Sequence, residues 1–209
     1  MTETNRAANL LRERRKGLTR QALQEAALSA FAAHGYVSVS IDDIAQRAGT
    51  SRSTFYLHFS GKADVLRALR DDHLAEWNHD FNVDFTTVSR KKLTAFFEYM
   101  IDFYSKAPLL HKTLHEARAA DGDFAREYRR TLESVLADWG SSPSSKEVSE
   151  GQLRLEIAVL YSLIDHFLYL WLILGWEVDR RDAVRAMTSA MIAIRPKRSR
   201  EGDLQSPES

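Results

Sequence analysis

The sequence predicts an all-α protein, and two observations carry this prediction. Apolar residues recur at steps of three and four along most of the chain, which is the spacing of one face of a helix. The 209 residues include only four prolines and nine glycines, which leaves little room for the turns of a hairpin-rich β architecture. This length allows one large domain or two small ones, and either can bury a core.

The first two helices are predicted from periodicity and from their end signals. The first runs from Thr19 and should end at Gly35, because glycine readily adopts the left-handed backbone that closes a helix. Residues 1–18 are predicted to be a flexible basic arm. The second helix follows Ser40, whose hydroxyl should accept the amide of Asp43 in a capping box.

A glycine turn and a third short helix come next. Gly49 should end the second helix, and Ser51 can cap a helix from Arg52 to Phe59. Small residues, of which Ala45 is one, allow the second helix to pack closely, so that the third helix projects from the surface. The order helix, glycine turn, helix predicts a helix-turn-helix motif.

Apolar periodicity predicts five further helical segments. They are Gly61 to about Asn82, Lys91 to Lys106, Asp123 to Trp139, about Gln152 to Leu174, and Arg180 to Ile194. The segment 140–145 is rich in glycine, serine and proline and is predicted to be a loop. The polar tail 196–209 is predicted to be disordered.

The apolar run 157–176 is long enough to span a bilayer. However, Asp165 and His166 lie at its centre, where a carboxylate would be costly in lipid. A buried central helix or a dimer interface requires the same apolar composition. We therefore favour a buried helix over a membrane span.

The charge is distributed unevenly, although 29 basic and 29 acidic side chains cancel. Residues 1–60 hold eight basic and five acidic side chains, a formal charge of +3, whereas residues 61–194 carry −4. The neutral total therefore does not argue against a polyanionic partner. The absence of cysteine excludes disulfides and cysteine nucleophiles and suits a reducing cytosol. With no apolar signal-peptide core at the start, we expect a cytoplasmic protein.

The segment Ser40–Lys62, SIDDIAQRAGTSRSTFYLHFSGK, resembles the DNA-binding segment of the tetracycline-repressor (TetR) family of bacterial transcriptional regulators. The resemblance extends from Thr19 to Leu66, and the rest of the chain is similar in length and helical layout. Gly61 departs from the serine that is common there, and Ser53 from the common glycine or alanine. The matching positions are Ile44, Ala45, Ala48, Gly49, Ser51, Thr54, Phe55, Tyr56, Phe59 and Lys62.

This resemblance implies a three-helix DNA-binding domain at 19–66 and a helical effector-binding and dimerisation domain at 67–195. It implies a sequence-specific regulator, most often a homodimeric repressor that an effector releases from DNA. Two recognition helices must lie about 34 to 36 Å apart to reach successive major grooves, so a two-fold dimer and a near-palindromic operator are expected.

The resemblance also assigns DNA contacts. Arg52, Ser53 and Leu57 would lie nearest the base edges, where an arginine can bind guanine and a leucine can touch a thymine methyl. The residues expected to hold phosphates are Ser40, Thr54, Tyr56, His58 and Lys62. The basic run 12–16 is either a solvated tail or an electrostatic DNA contact, and its position before the first helix favours the contact.

The C-terminal half supplies candidates for the effector pocket and the dimer interface. Aromatic residues at helical spacing are usually core, so each candidate competes with plain packing. The effector candidates are Phe96, Phe97, Met100, Tyr104, Tyr128, Trp139, Asp165 and His166. The interface candidates, in the last two long helices, are Leu160, Ile164, Phe167, Leu168, Trp171 and Leu174. The apolar and aromatic composition of these helices favours a small hydrophobic or aromatic effector.

Other functions are less consistent with the sequence. His111 and His115, four residues apart with Glu116 nearby, form a weak metal-binding pattern, and we expect neither a metal nor a cofactor. No nucleophile elbow, HExxH motif or phosphate loop is present, so we do not expect an enzyme. The alternative that stays open is a helical adaptor protein that uses the helix-turn-helix only as a scaffold.

Overall fold

The computed structural model describes residues 3–77, 88–140 and 150–194. Within these residues every regular element is a helix, which confirms the all-α prediction. The helices are α1 (Glu3–His34), α2 (Ile41–Arg47), α3 (Arg52–Tyr56), α4 (Lys62–Leu74), α5 (Arg90–Lys106), α6 (Pro108–Ala120), α7 (Gly122–Gly140), α8 (Glu150–Leu168) and α9 (Arg180–Ile194). A π-helical turn, Tyr169–Ile173, continues α8.

Three helix boundaries differ from the sequence-based expectation. Helix α1 begins at Glu3, not at Thr19, so the expected flexible arm is helical from residue 3. That segment lacks an apolar stripe but is rich in alanine, leucine and arginine, which favour helix without packing. Helix α6 was not predicted, and Pro108 occupies its first turn, where a proline starts a helix and does not break it. Helix α4 ends at Leu74, and the end expected for this helix, near Asn82, lies outside the described residues. The predicted loop residues 141–145 and the predicted tail 196–209 also lie outside them.

The chain forms two compact units, and their limits differ from the domain boundaries expected from the sequence. The described part of the first unit comprises residues 3–77 and 103–129, and that of the second comprises 88–102, 130–140 and 150–194. Long-range side-chain bonds explain why 103–129 belongs with the N-terminal helices. Glu127 in α7 pairs with Arg70 in α4 at 3.0 Å, and Arg67 binds the same carboxylate.

Tyr36, in the loop between α1 and α2, is a second attachment point in the first unit. Its backbone N–H donates to Glu116 of α6 at 2.9 Å, and its hydroxyl donates to Asp121 at 3.3 Å. Burial and the neighbouring Asp121 carboxylate raise the pKa of Tyr36 to about 12. The phenol therefore stays protonated and keeps donating. The core around it contains Leu23, Ala27, Phe31, Ile44, Phe55, Val65, Leu66, Leu110 and Phe124.

In the second unit, α8 packs against α9 through apolar side chains. Leu160, Ile164 and Leu168 of α8 are buried, as are Ala183, Val184, Met187 and Met191 of α9. Arg180, at the start of α9, binds Glu98 and Asp102 of α5, each at 2.7 Å. Within the described residues, none of the helices combines the length and the apolar character that crossing a membrane requires.

Candidate nucleic-acid interface

Helix α2 begins with the capping box that the sequence predicts. The Ser40 hydroxyl accepts the Asp43 N–H at 3.2 Å, and the Asp43 carboxylate accepts the Ser40 N–H at 2.8 Å. The Ser40 hydroxyl also donates to the Asp43 carboxylate at 2.6 Å, and this bond, together with the one from the Ser40 N–H, holds the pKa of Asp43 below its usual range. The box fixes the direction in which the chain enters α2, with Ser40 exposed at its start.

The turn between α2 and α3 depends on one glycine and one serine. Gly49 has φ +66°, the left-handed region that the sequence analysis expected there. Ser51 then caps α3 by accepting the Thr54 N–H at 3.1 Å. Its hydroxyl also lies 2.8 Å from that of Ser53 and 2.9 Å from that of Thr54. The hydroxyls of these three serine and threonine side chains thus gather at the N-terminus of α3.

Two phenylalanines anchor α3 to the core, as predicted. Phe55 is fully buried, Phe59 is 2% exposed, and their ring centroids lie 5.9 Å apart. Helix α1 holds the end of this segment, because the guanidinium of Arg20 lies 4.3 Å from the Phe59 ring and donates to the carbonyl of His58 at 3.1 Å. With one face anchored, α3 presents its other face to solvent.

That exposed face brings together four of the predicted DNA-contact residues. Leu57 is 78% exposed and Tyr56 is 47% exposed, and Arg52 and Ser53 are exposed beside them. The guanidinium of Arg52 donates to Asp42 of α2 at 2.7 Å and to the Tyr56 hydroxyl at 3.4 Å. These two bonds raise the pKa of Arg52. Asp42 lies in the first turn of α2, and its pairing with Arg52, ten residues later, does not follow from any spacing in the sequence.

Lys62 binds backbone carbonyls in this structure, and its expected phosphate contact stays a prediction. Its ammonium donates to the carbonyls of Tyr36 at 2.8 Å, Val37 at 3.0 Å and Val39 at 3.2 Å. It also lies 4.6 Å from the centre of the Tyr36 ring. An ammonium has three N–H donors, so these carbonyls use all of them. Lys62 therefore joins the start of α4 to the loop before α2, and burial lowers the pKa of Lys62.

His58 is partly buried directly after α3. Burial lowers the pKa of His58, and the nearby charges of Lys16 and Arg20 lower it further. The imidazole is therefore a neutral hydrogen-bonding group near pH 7, which a phosphate contact permits. Its assignment to the DNA interface stays a prediction.

The expected effector residues are divided between the two compact units. Tyr104 and Tyr128 belong to the first unit, where Tyr104 stacks on His111 at 3.9 Å and Tyr128 packs against Arg118 at 4.1 Å. In the second unit Phe96 and Phe97 are buried against each other, Met100 and Asp165 are partly buried, and His166 is exposed. The side chain of Trp139 lies outside the described part. Phe96, Phe97, Tyr104 and Tyr128 thus contribute to packing, and the role of the expected residues toward an effector stays a prediction.

His111, one of the two histidines of the weak metal pattern, lies among aromatic rings. The ring of His111 lies 5.2 Å from that of His73, which stacks on Phe103 at 4.0 Å. Across residues 3–77, 88–140 and 150–194, no three histidine, aspartate or glutamate side chains are arranged to hold a metal ion.

The interface candidates were expected to lie at the dimer interface or behind it, and their role there stays a prediction. Leu160, Ile164 and Leu168 are at most 8% exposed within the chain, so they pack behind the surface and do not form it. Phe167 and Trp171 are partly buried, with ring centroids 5.8 Å apart, and Leu174 is 58% exposed. The exposed stripe of α8 lies one residue earlier in register and consists of Leu155, Val159 and Leu163, which are 65%, 47% and 61% exposed. Their spacing of four residues was a signal available in the sequence.

Comparison with known proteins identifies the helix-turn-helix. The sequence model of the family described as "Bacterial regulatory proteins, tetR family" matches residues 23–69, which cover the end of α1, α2, α3 and most of α4. The HTH-type transcriptional regulator TtgR of Pseudomonas putida is 29% identical over 178 residues, which cover 77% of this chain and 83% of TtgR. The helix-turn-helix of this chain is similar to that of the tetR family. The predicted resemblance is thereby confirmed.

Two further comparisons show how far the likeness to the tetR family reaches. The uncharacterized HTH-type transcriptional regulator TtgW of Pseudomonas putida is 43% identical over 68 residues, which are 32% of this chain and about half, 48%, of TtgW. A solved structure of a TetR-family regulator from Syntrophomonas wolfei has a TM-score of 0.66 at 17% identity and covers 85% of this chain and 95% of that one. At this low identity the second likeness concerns the fold alone.

Proposed function

We propose that this chain is a sequence-specific DNA-binding transcriptional regulator of the tetR family that acts as a homodimer. The observation that carries the proposal is the geometry of α3. Phe55 and Phe59 fix one face of this helix in the core, while Arg52, Tyr56 and Leu57 project from the other. A short helix that is anchored on one face and exposes polar and apolar side chains on the other is suited to the major groove.

Each exposed group has a chemical counterpart on duplex DNA. The guanidinium of Arg52 can donate two parallel hydrogen bonds to guanine, and the methyl groups of Leu57 can contact a thymine methyl. The hydroxyls of Thr54 and Tyr56 and the amides at the start of α2 are suited to phosphate oxygens. Base contacts would set the sequence preference, and phosphate contacts would set the register of the protein on DNA.

A homodimer follows from the spacing of the major groove and from the surface of α8. Two copies of α3 must lie about 34 to 36 Å apart, which gives a near-palindromic operator. Leu155, Val159 and Leu163 expose apolar side chains along α8, and pairing with a second copy would remove them from water. A two-fold contact between the α8 and α9 helices of two chains would form a four-helix bundle.

As a regulator, the protein would act as a repressor that a small effector releases from DNA. An effector can do this only if it binds the DNA-free conformation more tightly than the DNA-bound one. The apolar and aromatic helices favour a hydrophobic or aromatic effector. This function requires no catalysis and places the protein in the cytoplasm with the chromosome.

DNA selection with the full-length chain tests this proposal against the adaptor alternative. From a random duplex library we expect a near-palindromic site whose binding weakens steeply with salt. Arg52→Ala should change the preference at one position of each half-site, whereas Tyr56→Phe should weaken binding to all sequences alike. Failure to enrich any sequence would reject the regulator in favour of an adaptor. Uniform weakening by Arg52→Ala would reject its role in base reading.

A further inference from the structure

The N-terminal part of α1, from Arg6 to Leu18, contributes no residue to the core of the described chain. Every residue from Arg6 to Leu18 is exposed, whereas α1 becomes part of the core only from Leu23 onwards. A helical segment without tertiary contacts gains no stability from burial. All its sides are open to a partner.

The charge of this segment indicates what kind of partner fits. Its only anion is Glu13, against five cations: Arg6, Arg12, Arg14, Arg15 and Lys16. None of these cations forms an ion pair with a residue in the described part of the chain. Arg12, Lys16 and Arg20 follow one another at four-residue steps, so they lie on one face of α1. A basic face of this kind attracts a polyanion.

This basic face lies next to the end of α3. Arg20 donates to the carbonyl of His58 at 3.1 Å, which fixes α1 beside the residue that follows α3. Lys16, one turn earlier, is close enough for its charge to lower the pKa of His58. The positive charge of α1 therefore lies next to the end of α3, the helix that is proposed to read DNA.

We propose that Arg12 and Lys16 bind the phosphate backbone of duplex DNA beside the site that α3 reads. The inference rests on the proposed function. At about 1.5 Å of rise per residue, α1 extends about 21 Å from Arg20 back to Arg6. At about 3.4 Å per base pair this is the length of about six base pairs. Because phosphate contacts carry no sequence information, this face adds affinity in DNA that flanks the operator and adds no base preference.

An anionic membrane is a less suitable partner for the same segment. Leu11 and Leu18 are exposed and seven residues apart on one side of α1. Arg14 and Arg15 lie between them at steps of three and four residues, so that side is not continuously apolar. Helices that lie in a membrane interface require an uninterrupted apolar face.

The test uses the full-length chain and duplexes that carry its selected site with short or long flanks, about two or about twelve base pairs on each side. We expect the wild-type chain to bind the long duplex more tightly. The double variant Arg12→Gln/Lys16→Gln should lose this gain, and its plot of log affinity against log salt should be less steep by about one for each phosphate contact removed. The matched control is Lys91→Gln/Lys92→Gln, which removes two exposed cations from the start of α5 and should keep the gain.

Each other outcome has a definite meaning. The inference would be overturned if long flanks did not raise the affinity of the wild-type chain, or if the double variant kept that higher affinity. In both cases α3 would remain the reading helix. A membrane partner would be favoured instead if the double variant no longer bound phosphatidylserine vesicles while its affinity still rose with long DNA flanks. A wild-type chain that selects no DNA would instead reject the proposed function itself. Helicity measured by circular dichroism checks that the variants are folded.

Discussion

At the scale of single residues, Arg52 has a partner within the protein before it meets DNA. Its guanidinium lies 2.7 Å from the carboxylate of Asp42, and the two side chains are 57% and 63% exposed. Water screens such an exposed pair, so its contribution to stability is small. Reading a guanine requires Arg52 to leave Asp42, and this cost reduces the affinity for DNA.

The substitution Asp42→Asn should therefore raise the affinity for the selected site by up to about five-fold, because Arg52 no longer has to leave a carboxylate. The carboxylate also repels phosphates, and a double-mutant cycle separates the two effects. In the Arg52→Ala background only the repulsion remains, so the gain should be smaller. Equal gains in both backgrounds, measured by fluorescence anisotropy, would show that the ion pair has no influence on binding.

Lys62 makes a structural contact, and the substitution Lys62→Met should reveal it. Methionine keeps much of the apolar stem but leaves the carbonyls of Tyr36, Val37 and Val39 without their donor. We expect the free energy of unfolding in urea to fall by about 2 kcal/mol. The salt dependence of DNA binding should stay unchanged. A stable variant with a reduced salt dependence would support the phosphate contact that the sequence suggested.

At the scale of elements, the turn of the helix-turn-helix depends on the backbone of Gly49. At φ +66° a Cβ is strained although it would meet no atom within 4 Å, so Gly49→Ala should destabilise the protein by about 1 to 2 kcal/mol. Gly61 offers the control, because its φ of 177° is extended and a Cβ there also meets nothing within 4 Å. Gly61→Ala should leave the midpoint of thermal unfolding nearly unchanged. Similar losses in the two variants would mean that backbone conformation is not the cause.

The elements that the sequence predicts well are those whose signals are local. The capping box of Ser40, the cap of Ser51 and the left-handed Gly35 and Gly49 each depend on a few neighbouring residues, and all are present. The start of α1 was misplaced because helix propensity alone, without an apolar stripe, extends it to Glu3. Helix α6 was not predicted because a proline can mark either the start or the end of a helix, and Pro108 marks a start.

The candidate site was less predictable where partners are distant in sequence. The exposed face of α3 follows from the two buried phenylalanines, so Arg52, Tyr56 and Leu57 were placed correctly on the surface. The ammonium of Lys62 binds carbonyls more than twenty residues away, and no spacing in the sequence reveals such a contact. In α8 two neighbouring rows of apolar residues run at steps of four, one through Leu160 and one through Leu163, so periodicity could not tell which row is buried.

At the scale of the whole molecule, the exposed stripe of α8 determines the expected oligomeric state. The substitution Leu163→Arg places a charge in the middle of this stripe and should convert the dimer to a monomer, because an unpaired charge is costly to bury. Sedimentation velocity measures the change. Binding to a palindromic site should fall with it, since one recognition helix loses its partner.

A charge introduced elsewhere provides the comparison for this variant. Leu109 in α6 is 48% exposed and lies in the other compact unit, so Leu109→Arg adds the same charge to an exposed leucine that is not part of α8. We expect Leu109→Arg to stay dimeric and to bind DNA normally. If both variants become monomers, or neither does, the stripe of α8 is not the dimer surface.

The bond between the backbone N–H of Tyr36 and Glu116 has a consequence for observing the protein at work. This amide lies outside the helices and is protected from solvent by a side chain of α6. Its proton exchanges with deuterated water only when that contact opens, so its exchange rate follows the docking of α6. The exchange rate of this one backbone proton therefore reports how firmly α6 holds the loop that leads into the helix-turn-helix, and measuring it requires no substitution.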